Sequence, residues 1–315
     1  MPSRFAFLFP GQGAQAVGMG KDLYEQLPTA RRVFDQADET LGFALSKICF
    51  EGPVDRLTAT DISQPAIFVH SAAMLAVLAE QAGWKDAMPA VAAGLSLGEY
   101  TALYAAGAMD FQVALKLVAQ RGKFMQEASV AQPSGMVSIM GLDEEKINAL
   151  CVEAAAGQVL SPANFNCPGQ IVISGHTEAC QRAVELTDKF GGRAIPLSVA
   201  GAFHTVLMAP AAEKLAAVIA ASEIRPPRCP VIANVTARPY GSVEEIRAGL
   251  VQQVTQPIRW SQSMQSMLAD GIARSYEIGP GRVLTGLMRK INRQALMVNL
   301  SAVDSLKAVQ AGPGN

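Results

Sequence analysis

The hydrophobic pattern of this chain changes period repeatedly, and the changes mark its elements. Residues 4–9 form a short apolar and aromatic run stopped by Pro10-Gly11, which predicts a buried strand followed by a glycine-rich loop over 11–20. The pattern over 22–41 is helical, and 64–81 is a long Ala-rich apolar stretch that predicts a buried helix. A candidate buried strand over 90–95 runs directly into Ser96, and 98–106 (GEYTALYAA) is a good helix by propensity. Ser96 therefore stands on a strand-to-helix corner. A second helix is predicted over 111–127, and the tract Ala131-Gln132-Pro133-Ser134-Gly135 is the clearest break in the first half of the chain.

Beyond that break the pattern reads strand (136–141), helix (144–155), strand (158–164), turn at Pro168-Gly169, strand (170–174), helix (178–190), strand (193–198). This βαββαβ order is that of a ferredoxin-like unit. The remainder returns to helices and short apolar strands, among them 231–235 and 274–278. The expected architecture is α/β: a discontinuous large domain made of 1–131 and 199–315, with a small domain of 132–198 inserted in it. No repeat at a fixed period is visible.

Composition narrows the function classes. Half of the 315 residues are hydrophobic, 17% are charged and the net charge is −1. A sizeable core is available, while the basic patch expected of a nucleic-acid binder is missing. No stretch approaches the roughly 18 apolar residues that a membrane span requires, and the N-terminal apolar run is too short for a signal peptide. The five cysteines are widely spaced, with neither a C-x-x-C pair nor a histidine at ligand spacing. A cytoplasmic protein is expected, without metal or other cofactor, acting as a monomer.

The chemistry centres on Gly94-Leu95-Ser96-Leu97-Gly98, a G-x-S-x-G pattern. Glycines are needed there because the turn is too tight for side chains at its ends, and the serine is pushed outward. The N–H of Leu97, at the helix start, would face an oxyanion. A serine needs a base, and the chain has three histidines. His70 lies in the apolar stretch IFVHSAAML and reads as a core residue; His176, in SGHTE, reads as a turn residue. His204, in GAFHT where the chain re-enters the large domain, is the base by elimination. No Asp or Glu after Ser96 stands out as a third triad member, so a main-chain carbonyl could orient the imidazole. Arg121 reads either as a solvated arginine near a helix C-terminus or as a fork for a substrate carboxylate. Gly11-Gln12-Gly13-Ala14-Gln15-Ala16 matches only a weak dinucleotide pattern; the loop could instead supply a second oxyanion N–H, from Gln12.

Taken in order, FPGQGAQ, SQPA (63–66), GLSLGEYTAL (94–103), QRGKFMQEA (120–128), NFNCPGQIVISG (164–175), GAFHT (201–205), QPIRW (256–260) and EIGPGRVL (277–284) resemble the malonyl-CoA:acyl carrier protein transacylase family over nearly the whole chain. The resemblance implies an α/β-hydrolase-like large domain, a ferredoxin-like small domain and a site between them. By matching positions it implies Ser96 as nucleophile, His204 as base, Arg121 as carboxylate clamp, and Gln12 and Leu97 as oxyanion amides. It further implies the main-chain carbonyl of Gln253, next to Gln252, as the orienter of the histidine, and Gln64 and Asn164 as pocket residues. Phe203 resembles the pattern associated with malonyl rather than methylmalonyl preference. Leu95 replaces a histidine that many family members carry before the serine. The implied partners are malonyl-CoA and an acidic acyl carrier protein, which would meet a basic rim drawn from residues such as Lys189, Arg193, Lys290 and Arg293. Three other readings are a serine esterase or thioesterase, a stand-alone acyltransferase loading a polyketide synthase carrier, and a catalytically silent docking protein. The last is disfavoured by the presence of both Ser96 and His204.

Overall fold

The computed structural model describes residues 4–81, 83–85, 87–309 and 312–313. Among them, eight strands form two four-stranded sheets: β1 (Phe5–Phe9), β2 (Val91–Gly94), β3 (Ser134–Met140), β4 (Leu160–Cys167), β5 (Gln170–His176), β6 (Arg193–Pro196), β7 (Arg274–Ile278) and β8 (Leu296–Leu300). The first sheet is parallel, in the order β2-β1-β7-β8, with Phe7 opposite both Ala92 and Tyr276. All of β1 is buried, and its two faces feed different cores. Phe5, Phe7 and Phe9 pack in the core around the Thr60–Glu80 helix, whereas Ala6 and Leu8 join Trp260, Met264 and Leu284 on the opposite face. A strand covered on both sides must be apolar throughout, which explains the unbroken FAFLF run.

The second sheet is antiparallel, in the order β4-β5-β3-β6. Its strands alternate. Val137, Ile139, Ile171 and Ile173 pack against Ile147 and Leu150 of the Glu144–Ala155 helix and Ala179 and Ala183 of the Thr177–Leu186 helix. Met136, Ser138 and Val172 point the other way, toward a cavity shared with the parallel sheet. The antiparallel sheet is also tied by main chain to the segment before the Trp260–Ala269 helix: Phe165 N–H donates to Ile258 O and Ile258 N–H to Ala163 O, each at 2.8 Å.

Several expected boundaries shift for identifiable reasons. The helix expected over 22–41 is two helices, Lys21–Gln26 and Pro28–Leu41. Pro28 disfavours helical backbone at Leu27, which is extended at φ −123°, and itself starts the second helix, where its missing N–H does no harm. The helix expected from residue 64 begins at Thr60 and runs through Pro65. That Thr60–Glu80 helix is also long and apolar enough to cross a membrane by length and composition, with mean hydropathy 1.6, which corrects the expectation that no such stretch exists. Its scattered Ser, Gln and His interrupt the apolar run without offsetting its alanines and branched residues, and 83% of that window is buried inside the protein. Residues 231–235 make only single bridges, Val231 to Ala92 and Ile232 to Pro239, because the chain turns there with Ala237 in left-handed backbone. β8, half-buried at the sheet edge, has too weak a pattern to have been expected.

Candidate active site

β1 and β2 lie side by side, so the loops at their C-terminal ends, 10–13 and 95–97, meet above the parallel sheet. This is where open parallel sheets present their ligands. The close approach is dictated by glycines. A Cβ on Gly94 would sit 1.9 Å from Gly98 C, one on Gly98 2.1 Å from Phe9 O, and one on Gly11 2.4 Å from Leu95 O. Ser96 is forced into left-handed backbone at φ 52°, a conformation that costs a non-glycine residue about 1–3 kcal/mol. Two side chains hold it there. Its N–H donates to Asn234 Oδ1 at 2.7 Å, and its carbonyl accepts from Gln253 Nε2 at 2.9 Å.

The Ser96 hydroxyl is 2.9 Å from His204 Nε2, and His204 Nδ1 is 2.7 Å from the main-chain oxygen of Gln253. A carbonyl only accepts, so Nδ1 carries the proton and Nε2 presents its lone pair to the serine. The neighbouring Gln252 is exposed, so the contact belongs to Gln253. Burial, then the positive charge of Arg121, push His204 down to about 3, against the opposing pull of the Gln253 carbonyl. The imidazole is therefore neutral in the resting protein.

Arg121 is buried, 1% exposed, and its own pKa is lowered by that burial. Its Nη1 donates to Gln64 Oε1 at 2.7 Å; its Nη2 donates to Gln253 Oε1 at 2.8 Å and to Ser96 Oγ at 3.0 Å. Gly122 lets its helix, Phe111–Ala131, approach the Thr60 carbonyl, where a Cβ would come within 2.6 Å. The solvated reading of Arg121 is thus replaced by a buried cation facing the serine.

Among the described residues neither the Gln12 nor the Leu97 main-chain N–H donates a hydrogen bond. Gln12, Gln64, Asn164, Phe203, His204 and Ser96 all line a cavity of about 360 Å³ between the two sheets. A larger cavity of about 500 Å³ lies among Phe7, Trp84, Tyr104 and Phe111 and contains none of these groups.

A family model described as an acyl transferase domain matches residues 6–308. A malonyl CoA-acyl carrier protein transacylase of Bacillus subtilis (strain 168) is 44% identical over 307 residues, covering 97% of this chain and 96% of the relative. The chain belongs to the malonyl CoA-acyl carrier protein transacylase family. Among solved structures, the transacylase of Coxiella burnetii superposes with a TM-score of 0.94 at 39% identity, covering 98% of this chain and 97% of that one. A malonyl-transacylase solved in complex with its type II polyketide synthase acyl-carrier protein gives 0.93 at 42% identity, covering 97% and 98%.

Within this transacylase, the other two histidines are structural. His70 is fully buried with Nε2 3.1 Å from Ser301 O, and His176 Nδ1 accepts from Val159 N–H at 3.0 Å. All five cysteines are free and buried. Of the suggested rim residues, Lys290 donates to Gln170, itself a cavity residue, whereas Lys189 is paired with Glu153. Three residues near the serine escaped the sequence reading: Glu99, Asn234 and Tyr240. Asn234 interrupts the apolar run PVIANV, and Glu99 falls in the first turn of the Gly98–Ala105 helix among buried positions. Those are the only signals either gives.

Proposed function

We propose that this chain transfers the malonyl group of malonyl-CoA to the phosphopantetheine thiol of an acyl carrier protein, in fatty acid biosynthesis, through an ester on Ser96. The observation that carries the reading is the buried guanidinium of Arg121, 3.0 Å from the Ser96 hydroxyl oxygen. A malonyl carboxylate lies two carbons beyond the carbonyl that the serine attacks, so a cation beside the nucleophile matches it. An esterase would have no use for that charge.

In this account His204 Nε2 takes the Ser96 proton as Oγ attacks the thioester carbonyl, and the N–H groups of Gln12 and Leu97 receive the oxyanion. The carbon–sulfur bond breaks, and CoA leaves with the proton from Nε2. The carrier thiol then gives its proton to Nε2 and attacks the ester; the bond from the acyl carbon to Oγ breaks, Oγ takes the proton back from Nε2, and malonyl-carrier leaves with Ser96 restored. A substrate carboxylate pairing with Arg121 would draw the guanidinium off the serine oxygen and offset the charge that depresses His204, so the same contact selects the substrate and strengthens the base. Gln64 holds Arg121, while Asn164 and Phe203 wall the pocket. No cofactor enters these steps. The parallel sheet with its elbow supports an α/β-hydrolase-like large domain (1–131 and 199–315), and the βαββαβ order of 132–198 supports a ferredoxin-like small one.

A polyketide carrier is the second reading, favoured by the solved relative bound to such a carrier. Incubation with malonyl-CoA and a fatty-acid carrier, in its phosphopantetheinylated and unmodified forms, tests the proposal. Malonyl-carrier is expected only with the modified form and only while Ser96 is intact. Transfer by Ser96→Ala at the wild-type rate would refute it.

A further inference from the structure

The Ser96 elbow, the histidine orienter and the arginine clamp converge on a single buried carboxylate. Glu99 is fully buried three residues after the serine. Its Oε1 accepts from Asn234 N–H at 3.0 Å and from the Tyr240 hydroxyl at 2.7 Å, and its Oε2 accepts from Gln253 Nε2. The groups it holds are the ones that hold Ser96. Asn234 receives the serine N–H and also donates to Gly94 O at 2.7 Å, bracing the elbow from one side. Gln253 donates to the serine carbonyl, accepts from Arg121 and offers its main-chain carbonyl to His204.

We propose that Glu99 is the positioning residue of this site: its acceptor-only carboxylate fixes which way the Gln253 amide points, and so aligns serine, histidine and arginine together. The inference rests on the transfer reading above. Donors and acceptors match in only one way. With Glu99 ionised, as it is above about pH 7, the Gln253 NH₂ must face Glu99 and Ser96 O, which leaves Oε1 for the Arg121 guanidinium. A glutamine at 99 can still accept from Asn234 and Tyr240, but its own NH₂ then faces the NH₂ of Gln253. Turning the Gln253 amide relieves that contact only by putting its NH₂ against Arg121 and its oxygen against the Ser96 carbonyl. Turning the introduced amide instead sets its NH₂ against the Asn234 N–H, so every arrangement leaves a buried mismatch, and a buried polar group without a partner is where such networks fail.

The test compares wild type, Glu99→Gln and Tyr240→Phe, at a pH well above 7 where Glu99 is ionised, for Ser96 acylation by malonyl-CoA and by acetyl-CoA, with a thermal melt on each. Wild type must first form the malonyl ester on Ser96; absence of that adduct defeats the transfer reading itself, an outcome separate from any effect of the variants. Folded Glu99→Gln is expected to lose about 100-fold in acylation rate with both donors at KM within threefold, because serine and histidine are displaced whichever acyl group arrives. Loss confined to malonyl would assign Glu99 to the clamp alone and overturn the proposal. A rate within threefold of wild type with a lowered melting temperature would make Glu99 structural only and also overturn it. If Glu99→Gln does not fold, Tyr240→Phe decides. Removing one donor to the carboxylate is expected to lower the rate three- to tenfold with both donors at unchanged KM, and an unchanged rate contradicts the proposal.

Discussion

Arg121 admits two readings from its own helix, solvated or facing a substrate, and the spacing of that helix favours the buried one. In FQVALKLVAQRGKFM it follows Leu117 and Val118 and precedes Met125 at helical spacing, so it sits on the stripe that is buried. That spacing was visible in the sequence; what was not visible was the set of acceptors, Gln64 and Gln253, drawn from two other helices. A charge-assisted hydrogen bond is worth roughly 1.5–3 kcal/mol. Arg121→Ala is therefore expected to reduce malonyl transfer by roughly 10- to 150-fold while leaving acetyl transfer much less affected. Parallel kcat/KM values for the two donors check this, and equal losses would remove the clamp. Ser96, His204 and Gln12 could be located from local pattern and elimination. Asn234 and Tyr240 could not, because they act from residues well over a hundred positions away, through contacts that only the folded chain creates.

At the scale of elements, the strand-turn-helix around Ser96 depends on the absence of two side chains. The Cβ of an alanine at 98 would lie 2.1 Å from Phe9 O, a main-chain atom of the inner strand β1 that cannot yield. Gly98→Ala should cost about 3 kcal/mol or more, at the upper end of what overpacking does, and a urea melt measures it. Wild-type stability in that variant would mean that the elbow is looser than described. The same local rules made β1, β2 and β7 and the βαββαβ order legible, since apolar runs and turn residues act within a few positions. They misjudged the places where one residue overrides a pattern, as Pro28 does, and where an edge strand such as β8 buries too little to need one.

The whole molecule places two oppositely perturbed groups in one site, and its stability should record both. His204 falls from 6.5 to about 3 on folding, so its contribution is complete above 6.5 and is lost as pH drops toward 3. Glu99 rises from 4.5 to about 7, chiefly through burial, so its contribution is complete below 4.5 and is lost as pH climbs toward 7. Between 4.5 and 6.5 the two oppose each other. The melting temperature of wild type relative to Glu99→Gln should accordingly decline as pH rises from 4.5 to 7 and level off above. A difference that is constant with pH would mean that Glu99 titrates alike in the folded and unfolded chains. The cavity between the sheets has a further consequence for the reaction. Its apolar wall, with Met125, Met136, Val172 and Phe203, must keep water from the ester long enough for a carrier to arrive.

That expectation defines the most direct measurement: intact mass of the protein mixed with malonyl-CoA, followed over time alongside free malonate, before and after addition of a phosphopantetheinylated carrier. The account predicts a malonyl adduct on Ser96 that persists without carrier and moves to the carrier thiol when it is added. An adduct that decays to free malonate at the same rate with or without carrier would contradict it.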